Sequence, residues 1–390
     1  MLLHGNKQET NRKMKRFLFH TIAIILTTWC MGCSHKSSSH NNTYVEEPIA
    51  IEYAQGFRMA VGNNYSRIDI VNPWDTTTLL RTYILVDTDT PLPAQLPQGA
   101  VIRTPLRNSL VFSSVHCSLL AELHCLDAIG GICDSEYNYI EELQARMQAG
   151  TLVDAGNSTS PDIEQIIELN PDAILLSPFE NVRHERLEKT GIPIIECADY
   201  MENSPLGRAE WVRLIGRLYG KAELADSLFK CIKESYIATA QKVASVQEKP
   251  LVITERRIGQ VWYIPGGKSY IAQLLSDAGA EYPWSDNNNT GSLALSFENV
   301  LERGQEADFW LIKYHAAQDF TYNDLKQEYA PNSRFKAFEQ RNIYGCNTQY
   351  LRYYEETPFH PERLLQDLGA IFHPTLFEGH IPYYYTPFDE

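Results

Sequence analysis

Between residues 208 and 248 the chain carries no strand signal, while on both sides of that gap short apolar runs alternate with amphipathic ones. Strands of four or five apolar residues separated by helical patterns indicate βαβ units and parallel sheets, whose buried strands read as near-continuous apolar runs. Before the gap the pattern predicts strands at 109–112, 151–153, 173–176 and 193–196, with helices at 119–126, 161–169 and 183–189. Two β-rich runs, 67–71 and 82–86, precede them around the turn Asn72-Pro73-Trp74-Asp75. After the gap, strands at 251–254, 261–264, 309–313 and 343–345 alternate with helices at 270–278, 297–303, 332–340 and 361–372. Ser160 is the expected cap of a helix opening on Pro161, and Asn170-Pro171 should stop it.

The gap has a pattern of its own. Leu224, Leu228, Ile232, Tyr236, Ala240 and Val243 recur at three- and four-residue steps, with Phe229 and Ile237 beside them, which is the apolar stripe of one long helix. The expected fold is α/β: two lobes with parallel-rich central sheets, joined by one long α-helix, with a ligand cleft between the lobes. The divisions are a signal segment at 1–33, a tether at 34–48, an N-terminal lobe at 49–207, a linker region at 208–249 and a C-terminal lobe at 250–390. A single doubly wound sheet with an inserted helical hairpin is the competing architecture, disfavoured because the second half restarts with its own strand run.

Lys15 and Arg16 precede an apolar run from Phe17 to Trp29 that closes on Cys30, Met31, Gly32 and Cys33. That is the layout of a signal peptide, and the run falls short of the roughly 20 residues a membrane span needs. Gly32 before Cys33 resembles a lipobox, so the expectation is export, lipidation of Cys33, and a domain anchored to a membrane and facing the periplasm or cell exterior. Met14 is a better start than Met1 for such a signal. Residues 34–43 contain no apolar residue and have nothing to bury against their ordering entropy.

The formal net charge is −15, and the segment before Cys33 is net basic, so the remainder is more acidic still. A nucleic-acid footprint is therefore absent, and docking onto a basic partner is favoured. Cys117, Cys125, Cys133, Cys197, Cys231 and Cys346 show no metal-site spacing and are read mainly as buried free thiols. No GxSxG, HExxH or P-loop is present, so no catalytic residue, catalytic cofactor or resident metal is assigned and the chain is read as a non-enzyme.

Four segments carry a family resemblance. They are Phe112-Ser113-Ser114-Val115-His116 with Asp127 and Gly130; Gly156-Asn157 through Pro161-Asp162-Ile163-Glu164 to Leu175; Gly266-Gly267-Lys268-Ser269 with Ala278-Gly279-Ala280 and Leu295-Ser296-Phe297-Glu298; and the tail from Pro361 to Phe372-His373-Pro374. In this order they resemble the helix-linked substrate-binding lipoproteins of ABC importers for ferric siderophores, haem and cobalamin, over about residues 67–374. The resemblance implies an iron complex or corrinoid as ligand, and an ABC permease dimer with ATPase subunits as partner. It also implies two docking carboxylates, Glu164 and Glu298, one per lobe, suited to bidentate pairing with arginines.

Ligand contacts are expected from loops at the carboxyl ends of strands. On the first lobe these are Ser114, Val115, His116, Tyr137 and Tyr139, with Trp74 as a wall. On the second they are Arg256, Arg257, Trp262, Tyr263, Tyr314 and His315. Aromatics would stack on a flat macrocycle or catecholate, and arginines would pair with carboxylates or anionic ferric chelates. His116 or His315 is a candidate axial ligand, against the plainer reading of each as a hydrogen-bonded structural group. Arg352-Tyr353-Tyr354 and Tyr383-Tyr384-Tyr385 are read as packing, and His360 and His373 are assigned no site. Two other functions remain open: a permease-independent lipoprotein that scavenges or hands off haem or cobalamin, and a metal-cluster oxidoreductase.

Overall fold

The computed structural model describes residues 45–389; the expected signal segment and Cys33 lie outside the described residues. Chain order begins with a five-stranded sheet, Glu47–Ile49, Phe57–Gly62, Tyr65–Val71, Leu79–Asp87 and Ala100–Thr104, antiparallel except for its last pair. Its pleat sorts side chains by the period of two: Phe57, Met59, Ile68, Ile70, Tyr83 and Leu85 join the main core, while Tyr65, Ile84 and Val86 cluster on the other face. The last residues of the expected tether, Glu47 and Pro48, lie in an edge strand, where a proline costs no ladder bond.

A second sheet follows, with strands in the order Ile194–Glu196, Ala173–Leu176, Ser109–Val111, Ile129–Ile132, Val153–Asp154, all parallel. The chain builds outward from Ser109–Val111 in one direction and then returns to its other side, so the strand order reverses beside that central strand. The Ile163–Leu169 helix starts two residues later than the sequence suggests. Asp162, not Ser160, caps it, accepting from the Glu164 and Gln165 backbone N–H groups at 3.0 and 3.2 Å. Ser160 and Pro161 are taken instead by a hairpin with Gly156–Asn157. The helix ends at Asn170, which adopts φ 46°.

The linker region is built from helices: Pro205–Glu210, Val212–Leu218 and the long Ala222–Val243. The long helix packs against Val212–Leu218 on one side and against Pro361–Phe372 of the second lobe on the other. Its buried stripe is Ala225, Phe229, Ile232, Tyr236, Thr239 and Val243. At its start that stripe is one residue later than the sequence pattern: Leu224 is exposed and Ala225 buried. The cause is a close helix crossing, where a Cβ on Gly216 would sit 2.3 Å from that of Ala225. Two buried carboxylates strap the N-terminal segment to these helices. Glu210 accepts from the backbone N–H groups of Glu52, Tyr53 and Ala54, and Glu202 from those of Gln55 and Gly56 and from the Trp211 indole.

The second lobe holds parallel strands Val252–Thr254, Phe309–Tyr314 and Ile343–Asn347, edged by antiparallel Thr386–Pro387. A smaller antiparallel sheet, Arg257–Ile258, Val261–Pro265 and Ser292–Leu295, lies beside it in the chain. The expected 332–340 helix is split into a 3-10 turn, Ala330–Arg334, and the short Lys336–Glu339, because the buried Asn332 side chain donates to the Leu325 carbonyl at 2.9 Å and fixes the bend.

Candidate functional site

Both parallel sheets aim their carboxyl ends at one cleft. On the first lobe, Ser113 and Ser114 follow one strand, Asp134 the next, Ser158 and Thr159 the edge strand, and Ser177 the strand across the reversal; with Tyr137, Phe179 and Val182 they wall about 770 Å³. On the second lobe, Arg256, His315 and Thr348 each follow one of the three parallel strands and wall about 760 Å³, shared with Ser114, Tyr137 and Tyr139 of the first lobe. A third volume of about 580 Å³ extends from residues 200–203 to Tyr263, Tyr270 and the 290–292 loop. Ser114 and Tyr137 belong to the first two volumes, and Arg256, Ile258, Lys313 and Tyr354 to the last two, so the three adjoin along the junction of the lobes. Strand ends beside a reversal of strand order are where open α/β sheets hold ligands.

Five tyrosines stand exposed in this cleft: Tyr137 (58%), Tyr139 (47%), Tyr263 (53%), Tyr350 (62%) and Tyr354 (57%). The Tyr350 hydroxyl donates to the Ala317 carbonyl at 2.7 Å, and local structure turns the other four outward. Asn138, between the first two, is buried; its Oδ1 accepts from the Ile140 N–H at 3.2 Å and its carbonyl from Gln144 Nε2 at 2.5 Å. Strand alternation buries Trp262 and exposes Tyr263, and a short helix buries Tyr353 and exposes Tyr354. Tyr354, and Arg352 before it, line the cleft although the sequence reading took their segment as packing; Tyr353, Tyr384 and Tyr385 are buried packing groups.

The cleft cations of the second lobe are held by acids. Lys313 pairs with Glu255; burial would depress its ammonium, but Glu255 beside it holds the pKa well above the ordinary lysine value. Glu255 itself adopts φ 63°, and its carbonyl accepts from the Trp310 indole at 2.7 Å. Arg256 pairs with Glu328 and lies 5.2 Å over the Phe320 ring. Arg352 Nε donates to Glu355 at 3.2 Å, and its Nη2 reaches Ser118 Oγ of the other lobe at 3.2 Å. None of the three acid partners was selected by sequence.

Several expected ligand residues face elsewhere. His116 is 1% exposed, with Nε2 2.9 Å from Asp199, whose other oxygen accepts from Arg208. Burial alone would raise the Asp199 pKa, but His116 and Arg208 keep it below the ordinary value. His116 is thus a structural group and not an axial ligand. Trp262 is a core residue stacked on Trp310 at 5.4 Å, with its N–H satisfied by the Thr254 carbonyl. Arg257 lies 3.8 Å over the Tyr329 ring, away from the cleft lining. Val115 packs against the core. Tyr314 lines the cleft only by its edge, being buried with its hydroxyl on Asp319. Trp74 walls a side cavity of about 380 Å³ that shares Phe179, Val182, Arg183 and His184 with the first-lobe volume. Glu164 and Glu298 are both exposed in the first turns of their helices.

One interlobe group escaped the sequence reading. His360 is buried between Glu122 of the first lobe (2.9 Å from Nε2) and Glu362 (2.8 Å from Nδ1). Burial opposes its charge, but the two carboxylates prevail and push its pKa up to about 9. Five of the six cysteines are buried and Cys231 is exposed, all as free thiols.

Residues 127–350 match the family model described as periplasmic binding protein. The chain is 25% identical, over 96% of its length and 97% of the relative's, to an uncharacterized lipoprotein of Methanocaldococcus jannaschii. Its fold resembles a periplasmic haem binding protein of Vibrio cholerae (TM-score 0.55, 15% identity, 69% of this chain and 100% of that one) and an ABC-type Fe3+-hydroxamate transport protein of Saccharomonospora viridis (TM-score 0.54, 18%, 69% and 94%). It also resembles a TroA-like periplasmic binding protein of Veillonella parvula (TM-score 0.56, 17%, 75% and 97%). The family match and the two-lobed fold together define the class: a non-catalytic solute-binding protein of the periplasmic binding type. The chain belongs to the periplasmic binding protein family.

Proposed function

We propose that this protein captures a bulky metal chelate, a ferric siderophore or haem, or a corrinoid such as cobalamin, in the interlobe cleft and delivers it to an ABC permease dimer with its ATPase subunits. The observation that carries the reading is the group of exposed tyrosines from both lobes around strand ends that share one cleft. Rings left in water at a junction supply stacking area for a large, flat or greasy cargo. The fold likeness to proteins described as binding haem or transporting Fe3+-hydroxamate favours an iron complex as cargo. Residues 49–207 and 250–390 act as the two lobes around the 208–249 linker. Lipidated Cys33 holds the domain to a membrane from the outside.

Purification from its native cells, followed by absorbance and metal analysis of whatever co-purifies, tests the cargo. A haem or corrin spectrum, or iron without either, identifies the class, and a metal-free, colourless ligand refutes it. Glu164 and Glu298, exposed one per lobe, are the docking carboxylates. Reversing both to Lys should abolish cargo uptake in cells while leaving cargo affinity in solution intact. Unchanged uptake would favour permease-independent handoff.

A further inference from the structure

Charge in the cleft is balanced within the protein. The lining cations are Arg183, Arg256, Lys313 and Arg352, and the lining carboxylates are Asp134, Glu202, Glu255 and Glu355, four of each. The balance is local as well as numerical on the second lobe, where Lys313 is joined to Glu255, Arg256 to Glu328 and Arg352 to Glu355. On the first lobe burial lowers the His184 pKa, which disfavours its charged form.

A polyanionic cargo therefore meets second-lobe lining cations, Arg256, Lys313 and Arg352, that are already paired. Drawing Lys313 to the cargo strands the Glu255 carboxylate, only 24% exposed, and that desolvation is not returned by the new pair; drawing Arg256 away costs it the more exposed Glu328. The chain's net charge of −15 adds long-range repulsion to any anion that approaches. The groups that are available are rings and a hydroxyl: Tyr137, Tyr139, Tyr263 and Tyr354 for stacking, with Ser114 for a hydrogen bond to a neutral oxygen.

We infer that the cargo is an electroneutral chelate, recognised by stacking and hydrogen bonding, and that the second-lobe carboxylates act as selectivity elements that exclude polyanionic chelates by occupying the cations. The inference rests on the metal-chelate or corrinoid reading of the cleft.

Full-length protein in detergent is titrated, by intrinsic fluorescence, with the ferric complex of a neutral trihydroxamate, a neutral corrinoid, and the trianionic ferric complex of a tricatecholate. A neutral probe should bind at least ~10-fold more tightly than the trianion, with little dependence on salt. Glu255→Gln, which frees Lys313, should raise affinity for the trianion at least ~10-fold. Glu328→Gln frees Arg256 from a more exposed partner, so the test survives if the first variant fails to fold. Tighter binding of the trianion by the native protein, or no gain in either variant, overturns the exclusion role while leaving the chelate reading standing. If none of the three probes binds, the chelate reading falls and the inference with it.

Discussion

The two walls of the cleft are built from the same element, the carboxyl end of a parallel strand, yet their chemistry differs. The first-lobe wall is mostly hydroxyls and rings, Ser113, Ser114, Ser158, Thr159, Ser177 and Tyr137, with Asp134, Arg183 and His184 beside them. The second-lobe wall is ionic, but its Lys313, Arg256 and Arg352 are already engaged by Glu255, Glu328 and Glu355. One wall is thus equipped to contact cargo, and the other to stay internally satisfied. The difference teaches that a basic residue in a cleft is not by itself an anion site; its partner decides.

If the contrast is real, cutting a pair on the second wall should damage the fold, while cutting a ring on the first should damage only binding. The largest effect belongs to Lys313→Met. It leaves Glu255 without its cation at a site only 24% exposed, and should cost about 2–4 kcal/mol in chemical denaturation. Lys313→Met with Glu255→Gln should recover most of that loss, because no unpaired charge remains; equal losses in the single and double variants would mean the ion pair is not what matters. Next, Tyr137→Ala and Tyr139→Ala should each weaken cargo binding by about 1–2 kcal/mol, with stability within about 0.5 kcal/mol of native. A stability loss matching the binding loss would make these rings part of the core and erase the contrast.

How far this was legible in sequence depends on the range of the interaction. Local period carried the element plan: Ala173–Leu176 and Pro361–Phe372 lie where apolar spacing puts them, since each is set by its own residues. The strand Ile129–Ile132 was missed because its centre is Gly130-Gly131, which carries no apolar signal. Those glycines answer to packing, for a Cβ on either would meet Asn108 or Leu169. Tyr137 and Tyr139 could be named as loop aromatics, and Tyr263 as an aromatic of a short strand in the second lobe. Whether Trp262 or Tyr263 faced the cleft turned on which sheet covers the strand, which the sequence does not encode locally. The charge balance was least legible, with Lys313 and Glu255 58 positions apart and Arg256 and Glu328 72 apart. For the same reason the arginines looked like anion binders.

The smallest effect tests where the two lobes meet. His360 Nε2 faces Glu122 of the first lobe and Nδ1 faces Glu362; Arg363 lies 3.6 Å from Glu122 and 3.8 Å from Glu362, partly offsetting both acids. Its folded pKa of about 9 lies above the unfolded value near 6.5, so the folded state holds this proton more tightly. The stabilisation is fully present below pH 6.5 and is lost as pH rises through about 9. Because Glu122 is 30% exposed and Arg363 screens it, the pH-dependent part should be modest, about 1 kcal/mol. Thermal unfolding across that window should show a midpoint falling by a few degrees in the native protein. His360→Gln, which hydrogen-bonds without charge, should be less stable at pH 6 and flat across the window. If the variant keeps the native slope, the pH response comes from other groups and the His360 cluster is not what couples the lobes to pH.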